Sequence, residues 1–175
     1  MAFKVFMTNV PSTLGRAALF AMILLGFAHQ VVGAETASVS KALDLSRYRG
    51  KVVLMDFWAS WCAPCRQSFP WLNAMQSRYA DRGLVIIGVN VDSSRADAET
   101  FLRDVPADFH IIYDPQGSLA AQYDVPGMPS SYLIGRDGTV VARHVGFRDA
   151  ARVDRETELQ KILSSAGGDV APAHP

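Results

Sequence analysis

Two nearly continuous apolar runs, Lys51–Phe57 and Leu84–Val91, constrain this chain more than any other feature. A strand with one wet face alternates apolar and polar residues, so runs without alternation read as strands buried on both faces, the signature of a parallel sheet covered on two sides. Between them lies a helical pattern from Cys62 to about Ala80, in which Phe69, Leu72, Met75 and Tyr79 share one face. Pro64 suits its first turn, Pro70 should kink it, and Gly83 supplies its stop. Two buried strands joined through a helix form a right-handed βαβ unit by default.

The remaining elements follow the same punctuation. Ser93 or Ser94 can cap a helix carrying Ala98, Phe101 and Leu102 inward, and Phe109–Tyr113 reads as a short third strand. Asp114-Pro115 opens a short helix, Gly117–Tyr123, before a turn-rich approach to a strand at Ser130–Gly135. Asp137-Gly138 reads as a two-residue hairpin loop returning the chain as Thr139–Val145, and a last helix, Asp149–Ser164, should bury Leu159, Ile162 and Leu163. The expected architecture is α/β, a mixed sheet of about five strands with helices on both faces.

The turn between the first strand and the first helix holds the chain's only two cysteines, Cys62 and Cys65. With no second pair there is no disulfide framework, and the fold must rest on its apolar core. A helix N-terminus is where a thiol becomes reactive, because unpaired N–H groups and the dipole stabilise a thiolate, lowering a cysteine pKa from about 8.5 to roughly 3.5–7.5. Cys62 is therefore the candidate nucleophile and Cys65, one turn further in, the resolving thiol.

Asp56 lies in the first buried strand among apolar neighbours. An unpaired buried charge costs several kcal/mol, so this carboxyl should hold its proton to unusually high pH or find a partner. Six residues before Cys62, it falls beneath the start of the helix, where it can take the proton of Cys65. Trp61 offers a flat apolar surface for a docking peptide, whereas Trp58 reads as core. Met128-Pro129, at the entrance to a strand, can accommodate a cis bond, with the trans form left open by these residues alone. His29, His110, His144 and His174 show no metal-ligand spacing, so no metal or other cofactor is expected.

The ends and the charge bound the setting. Of the 175 residues, 1–34 read as a signal peptide, with Lys4 and Arg16 before the apolar stretch Ala17–Ala28 and the small residues Val32-Gly33-Ala34 at a cleavage site. At about 12 residues that stretch is short of the roughly 17–25 that span a bilayer, the alternative being an uncleaved anchor that would hold the protein at the membrane. Residues 35–164 suit one domain, and 165–175 read as a disordered tail. Without Lys4 and Arg16, 15 basic residues face 17 acidic ones, which gives no field to gather nucleic acid. The chain reads as soluble, periplasmic or otherwise extracytoplasmic, once its leader is removed.

Trp61-Cys62-Ala63-Pro64-Cys65, Asp56, Pro70 and Gly127-Met128-Pro129-Ser130 together resemble the thioredoxin superfamily, and more closely its exported TlpA/ResA-like disulfide reductases. Gly88-Val89-Asn90-Val91-Asp92 and Leu133-Ile134-Gly135-Arg136-Asp137-Gly138 fit that family's blocks in order, so the likeness runs from about Leu43 to Ile162. It implies a thioredoxin-like sheet, a cis Pro129, and a substrate-binding groove made by Cys62, Trp61, Met128 and Pro129. Asp56 stands where the family often has Asn, Ser130 replaces a usual Thr, and the lead-in Glu35–Ser46 is too short for the β-hairpin that often opens the domain. The expected function is reduction of disulfides in client proteins through the redox pair Cys62/Cys65, as in cytochrome c or copper-site maturation, with electrons resupplied by a membrane thiol donor. The competing readings are net thiol oxidation or isomerisation by the same residues, and a Cu(I)-binding assembly module with Met128 as a third soft ligand.

Overall fold

The computed structural model describes residues 43–165. At its centre is β1 (Val52–Trp58), all seven residues of which are buried. It pairs in parallel with β2 (Leu84–Asn90), in the register Val52↔Leu84 to Trp58↔Asn90. On its other edge it pairs antiparallel with β4 (Ser130–Ile134). The strand β3 (His110–Tyr113) adds to β2 in parallel and β5 (Val140–Val145) to β4 antiparallel, giving the order β3-β2-β1-β4-β5. The expected mixed sheet of five strands is therefore present, and both strands read from continuous apolar runs lie in its interior.

Alternation along β1 divides the core. Val52, Leu54 and Trp58 face a layer built by α1 (Ala63–Tyr79), α2 (Arg95–Asp104) and α4 (Arg152–Ser164), which contribute Cys65, Phe69, Leu72 and Met75, then Ala98 and Phe101, then Leu159, Ile162 and Leu163. Val53, Met55 and Phe57 face the opposite layer, where Leu119 of α3 (Ser118–Gln122) packs with Leu43, Leu45 and Tyr48 of the lead-in. Trp58 is core, as expected. Its ring lies 5.0 Å from Phe69 and 4.9 Å from Phe101, so one indole ties α1 and α2 to the central strand.

The helix α1 runs unbroken through Pro70 and passes into a short 3-10 turn that ends at Gly83, whose φ of +92° is the left-handed conformation read as a stop. Asp114 caps α3 from outside its first turn, accepting from the N–H groups of Leu119 and Ala120 at 2.9 Å. The β4–β5 hairpin corrects the expected two-residue loop. Gly135 N–H donates to Thr139 O and Gly138 N–H to Gly135 O, leaving Arg136, Asp137 and Gly138 as a three-residue loop with Gly138 at φ +85°. Asp137 explains the longer loop, because its carboxylate accepts from the Thr139 N–H and hydroxyl, taking the N–H that a two-residue loop would return to Arg136 O, so the loop opens one residue earlier, at Arg136. The leader and residues 166–175 of the tail lie outside the described residues. Among those described, no strand precedes β1 and no helix is long and apolar enough to cross a membrane.

Candidate active site

The loop from β1 to α1 is held from beneath by a carboxylate just past β2. Asp92 accepts from Ser60 N–H at 2.9 Å, from the Ser60 hydroxyl at 3.0 Å and from the Asn90 amide at 2.7 Å. Three hydrogen bonds to one buried charge fix the backbone two residues before Cys62. Sequence reasoning assigned Asp92 no role. The signal was a pair of polar residues, Asn90 and Asp92, closing an otherwise apolar strand.

Cys62 is the N-cap of α1, with extended φ and ψ of −88° and 102°. Its carbonyl accepts from Cys65 N–H at 3.1 Å and Arg66 N–H at 3.3 Å, and its Sγ accepts from Cys65 N–H at 3.2 Å. The sulfur thus takes the place a serine or aspartate oxygen takes in a capped helix, where N–H groups and the positive end of the dipole meet. Cys62 and Cys65 are joined in a disulfide. Cys62 retains 4% exposure and Cys65 none, while the neighbouring Trp61 is 71% exposed. Of the two sulfur-bearing residues, only Cys62 keeps any exposed area.

The Met128-Pro129 peptide is cis. Ser130 fixes the approach by donating its hydroxyl to Gly127 O at 2.7 Å, and Gly146 N–H donates to Pro129 O at 2.8 Å. The register Phe57↔Ser130 brings this loop to the end of the sheet from which the chain leaves toward Cys62. Met128 is half-buried against the core layer that contains both cysteines.

Asp56 shares the helix-covered face of β1 with Leu54 and Trp58, the face on which Cys65 packs. The Ser131 hydroxyl, opposite it on β4, donates to Oδ1 at 2.7 Å, while the buried Oδ2 makes no hydrogen bond. Burial raises the carboxyl from 3.8 to about 7, against the opposing effects of the Ser131 hydrogen bond and the positive charge of Arg155. Near neutral pH the group therefore exists in both forms, the condition under which a carboxyl exchanges protons most usefully. Ser131 and Arg155 escaped sequence reasoning. Only the hydroxyls of Ser130 and Ser131 in a buried strand hinted at the first, and nothing local marked the second.

The sequence pattern of the Redoxin family matches residues 28–163. The thiol-disulfide oxidoreductase ResA of Bacillus subtilis is 32% identical over 127 residues, covering 73% of this chain and 71% of that protein. A Chlorobium tepidum structure assigned as the thiol:disulfide interchange protein DsbE is 48% identical, with a TM-score of 0.67 over 69% of this chain and 85% of that one. The exposed lipoprotein thioredoxin Etrx1 of Streptococcus pneumoniae is 28% identical, with a TM-score of 0.57 over 66% of this chain and 89% of that one. A cysteine pair at a helix N-terminus, a cis proline across from it and these relatives agree: the chain belongs to the Redoxin family, as a ResA/DsbE-like thiol–disulfide oxidoreductase of thioredoxin-like fold.

Proposed function

We propose that this oxidoreductase is exported and works as a reductase of client-protein disulfides, with Cys62 as nucleophile, Cys65 as resolving thiol and Asp56 as proton acceptor. The observation that carries this reading is the asymmetry of the two cysteines: Cys62 Sγ receives a helix N-terminal N–H and the residue keeps a small exposed area, while Cys65 lies wholly buried. The Cys62 thiolate attacks one sulfur of the client disulfide, breaking that bond and releasing the other sulfur as a thiolate. Cys65 then gives its proton to the Asp56 carboxylate and attacks Cys62 Sγ. The Cys62–Cys65 disulfide forms as the bond from Cys62 to the client breaks, the second client sulfur leaves as a thiolate, and the client takes two protons from solvent to depart as a dithiol carrying two electrons from the enzyme. We assign client docking to Trp61, which is exposed, with Met128 and Pro129.

Re-reduction needs two electrons from a thiol donor, which we assign to the membrane. Export is supported by the apolar leader ending at Ala34, and a pneumococcal relative is itself an exposed lipoprotein. Cytochrome c or copper-site maturation supplies client chemistry of the right kind, paired cysteines that must be kept reduced. The direction of electron flow is tested by the redox potential. No histidine stands between the cysteines, and Asp56 disfavours further negative charge nearby, so the Cys62 thiolate is stabilised only moderately. Equilibration against glutathione or dithiothreitol should give a value nearer thioredoxin's roughly −270 mV than the roughly −120 mV of a strong oxidant. A value above about −180 mV would turn the reading to oxidation.

A further inference from the structure

Each resolution step leaves a proton on Asp56, inside the protein, and that proton has to leave before the carboxyl can act again. Its hydrogen-bond partner Ser131 of β4 lines a cavity of about 10 Å³ together with Trp71 of α1, His144 of β5 and Arg155 of α4 among leucine side chains. Asp56 itself does not line the cavity; Ser131 joins the two, forming part of the wall and donating to Asp56 Oδ1, and the register Asp56↔Ser131↔His144 sets the three residues in one row across β1, β4 and β5. Trp71, which lines the cavity, has a buried Nε1–H without a hydrogen bond, and Asp56 Oδ2 beyond Ser131 is likewise buried and unbonded. One water needs about 10–15 Å³ of such space and two to four polar partners; this cavity has about that volume, and Trp71, Ser131, His144 and Arg155 are the polar residues of its wall. At its outer end His144 Nε2 lies 2.9 Å from Glu158 Oε2, with 26% and 39% of the two side chains exposed.

We propose that His144, backed by Glu158, is the proton exit of Asp56, reached through the Ser131 hydroxyl and a single water in this cavity. The inference rests on the reading of Asp56 as the acceptor. Protonated Asp56 gives its proton to Ser131 Oγ as that hydroxyl gives its own to the water, and the water passes one of its protons to the imidazole nitrogen not bonded to Glu158. The imidazolium then releases its Nε2 proton toward Glu158 and solvent, so one proton leaves and Asp56 returns to carboxylate. The charged and titratable groups bearing on this route are Asp56 on β1, His144 on β5, and Arg155 and Glu158 on α4, with Cys65 on α1 as the source of the proton. Burial holds the proton affinity of His144 below the ordinary histidine range and Arg155 adds to this, while Glu158 opposes both. The ring therefore stays neutral between transfers and serves as a carrier rather than a trap. Arg155, anchored by donating to Gly146 O at 2.8 Å, is a positioning residue whose positive charge favours departure of the proton.

The test is single-turnover reaction with a small aromatic disulfide whose two thiolates absorb, so that the second release reports resolution by Cys65. The reaction is followed from pH 5.5 to 9 in the wild type, His144→Gln, Asp56→Asn and the double variant, with Glu158→Gln as a surface substitution that reads the same route should His144→Gln fail to fold. His144→Gln should slow resolution by roughly 3- to 10-fold near pH 6, where Asp56 starts protonated, a fraction of the roughly 10²–10⁴ that a positioned acid–base group contributes. It should match the wild type above about pH 8.5, and add nothing in the Asp56→Asn background. Glu158→Gln should show the same pH signature with smaller amplitude. Slowing that is equal at every pH, additive with Asp56→Asn, or absent overturns the relay. Wild-type resolution in Asp56→Asn would instead overturn the acceptor assignment beneath it.

Discussion

Asp56 has one carboxylate oxygen held by Ser131 and the other unbonded, and its pKa of about 7 has a consequence for stability as well as for catalysis. The unfolded value is 3.8, so between pH 4 and 7 the folded state binds this proton more tightly than the unfolded chain. Stability from the protonated group is complete below pH 4 and is lost as pH rises to 7. At about 1.4 kcal/mol for each pH unit between the two values, the ceiling is about 4 kcal/mol. Asp56→Asn, which removes the ionisable group at constant shape, should therefore be more stable than the wild type by a margin that widens from pH 4 to pH 8, measured by denaturant unfolding. The same variant should resolve mixed disulfides roughly 10- to 100-fold more slowly, and an unchanged rate from pH 6 to 8 contradicts its role. That Asp56 was special could be read from the chain, because a carboxyl inside an apolar run violates the pattern around it. Its partners could not, since Ser131 and Arg155 reach it from β4 and α4 through contacts that only the folded sheet creates.

At the level of elements, legibility followed local cause. Continuous apolar runs, a proline in the first turn and a glycine at the stop are properties of a few consecutive residues, and β1, α1 and β2 appeared where those signals put them. The hairpin was misread because its turn depends on the Asp137 side chain, which competes with the backbone for the Thr139 N–H. Close packing between elements was invisible for a related reason: the role of Gly88 is set by three side chains distant in sequence. A Cβ there would lie 2.8 Å from Ile111 Cδ1, 2.9 Å from Phe109 Cε2 and 3.1 Å from Trp58 Nε1. Gly88→Ala should thus force these ends apart beside the register partner of Asp56, costing about 1–3 kcal/mol in urea unfolding. A variant as stable as the wild type would show that this packing yields freely.

Over the whole molecule, the sheet brings the cysteine turn and the cis-proline loop to one end, because β1 ends where its antiparallel neighbour β4 begins. The strand order that does this was not readable from hydrophobic pattern, which places strands but not their neighbours; it entered through the resemblance carried by the Cys62–Cys65 turn and Gly127-Met128-Pro129. The account of export predicts that protein recovered from the extracytoplasmic fraction begins at Glu35, and an intact mass retaining Met1–Ala34 would point to anchoring instead. The central claim, an oxidoreductase in which Cys62 attacks and Cys65 resolves, is tested most directly by trapping. Reduced Cys65→Ser mixed with insulin should accumulate a mixed disulfide that peptide mapping assigns to Cys62, while reduced Cys62→Ser should accumulate none. Adducts that form on Cys65 in Cys62→Ser, with Cys62 left free in Cys65→Ser, would contradict it.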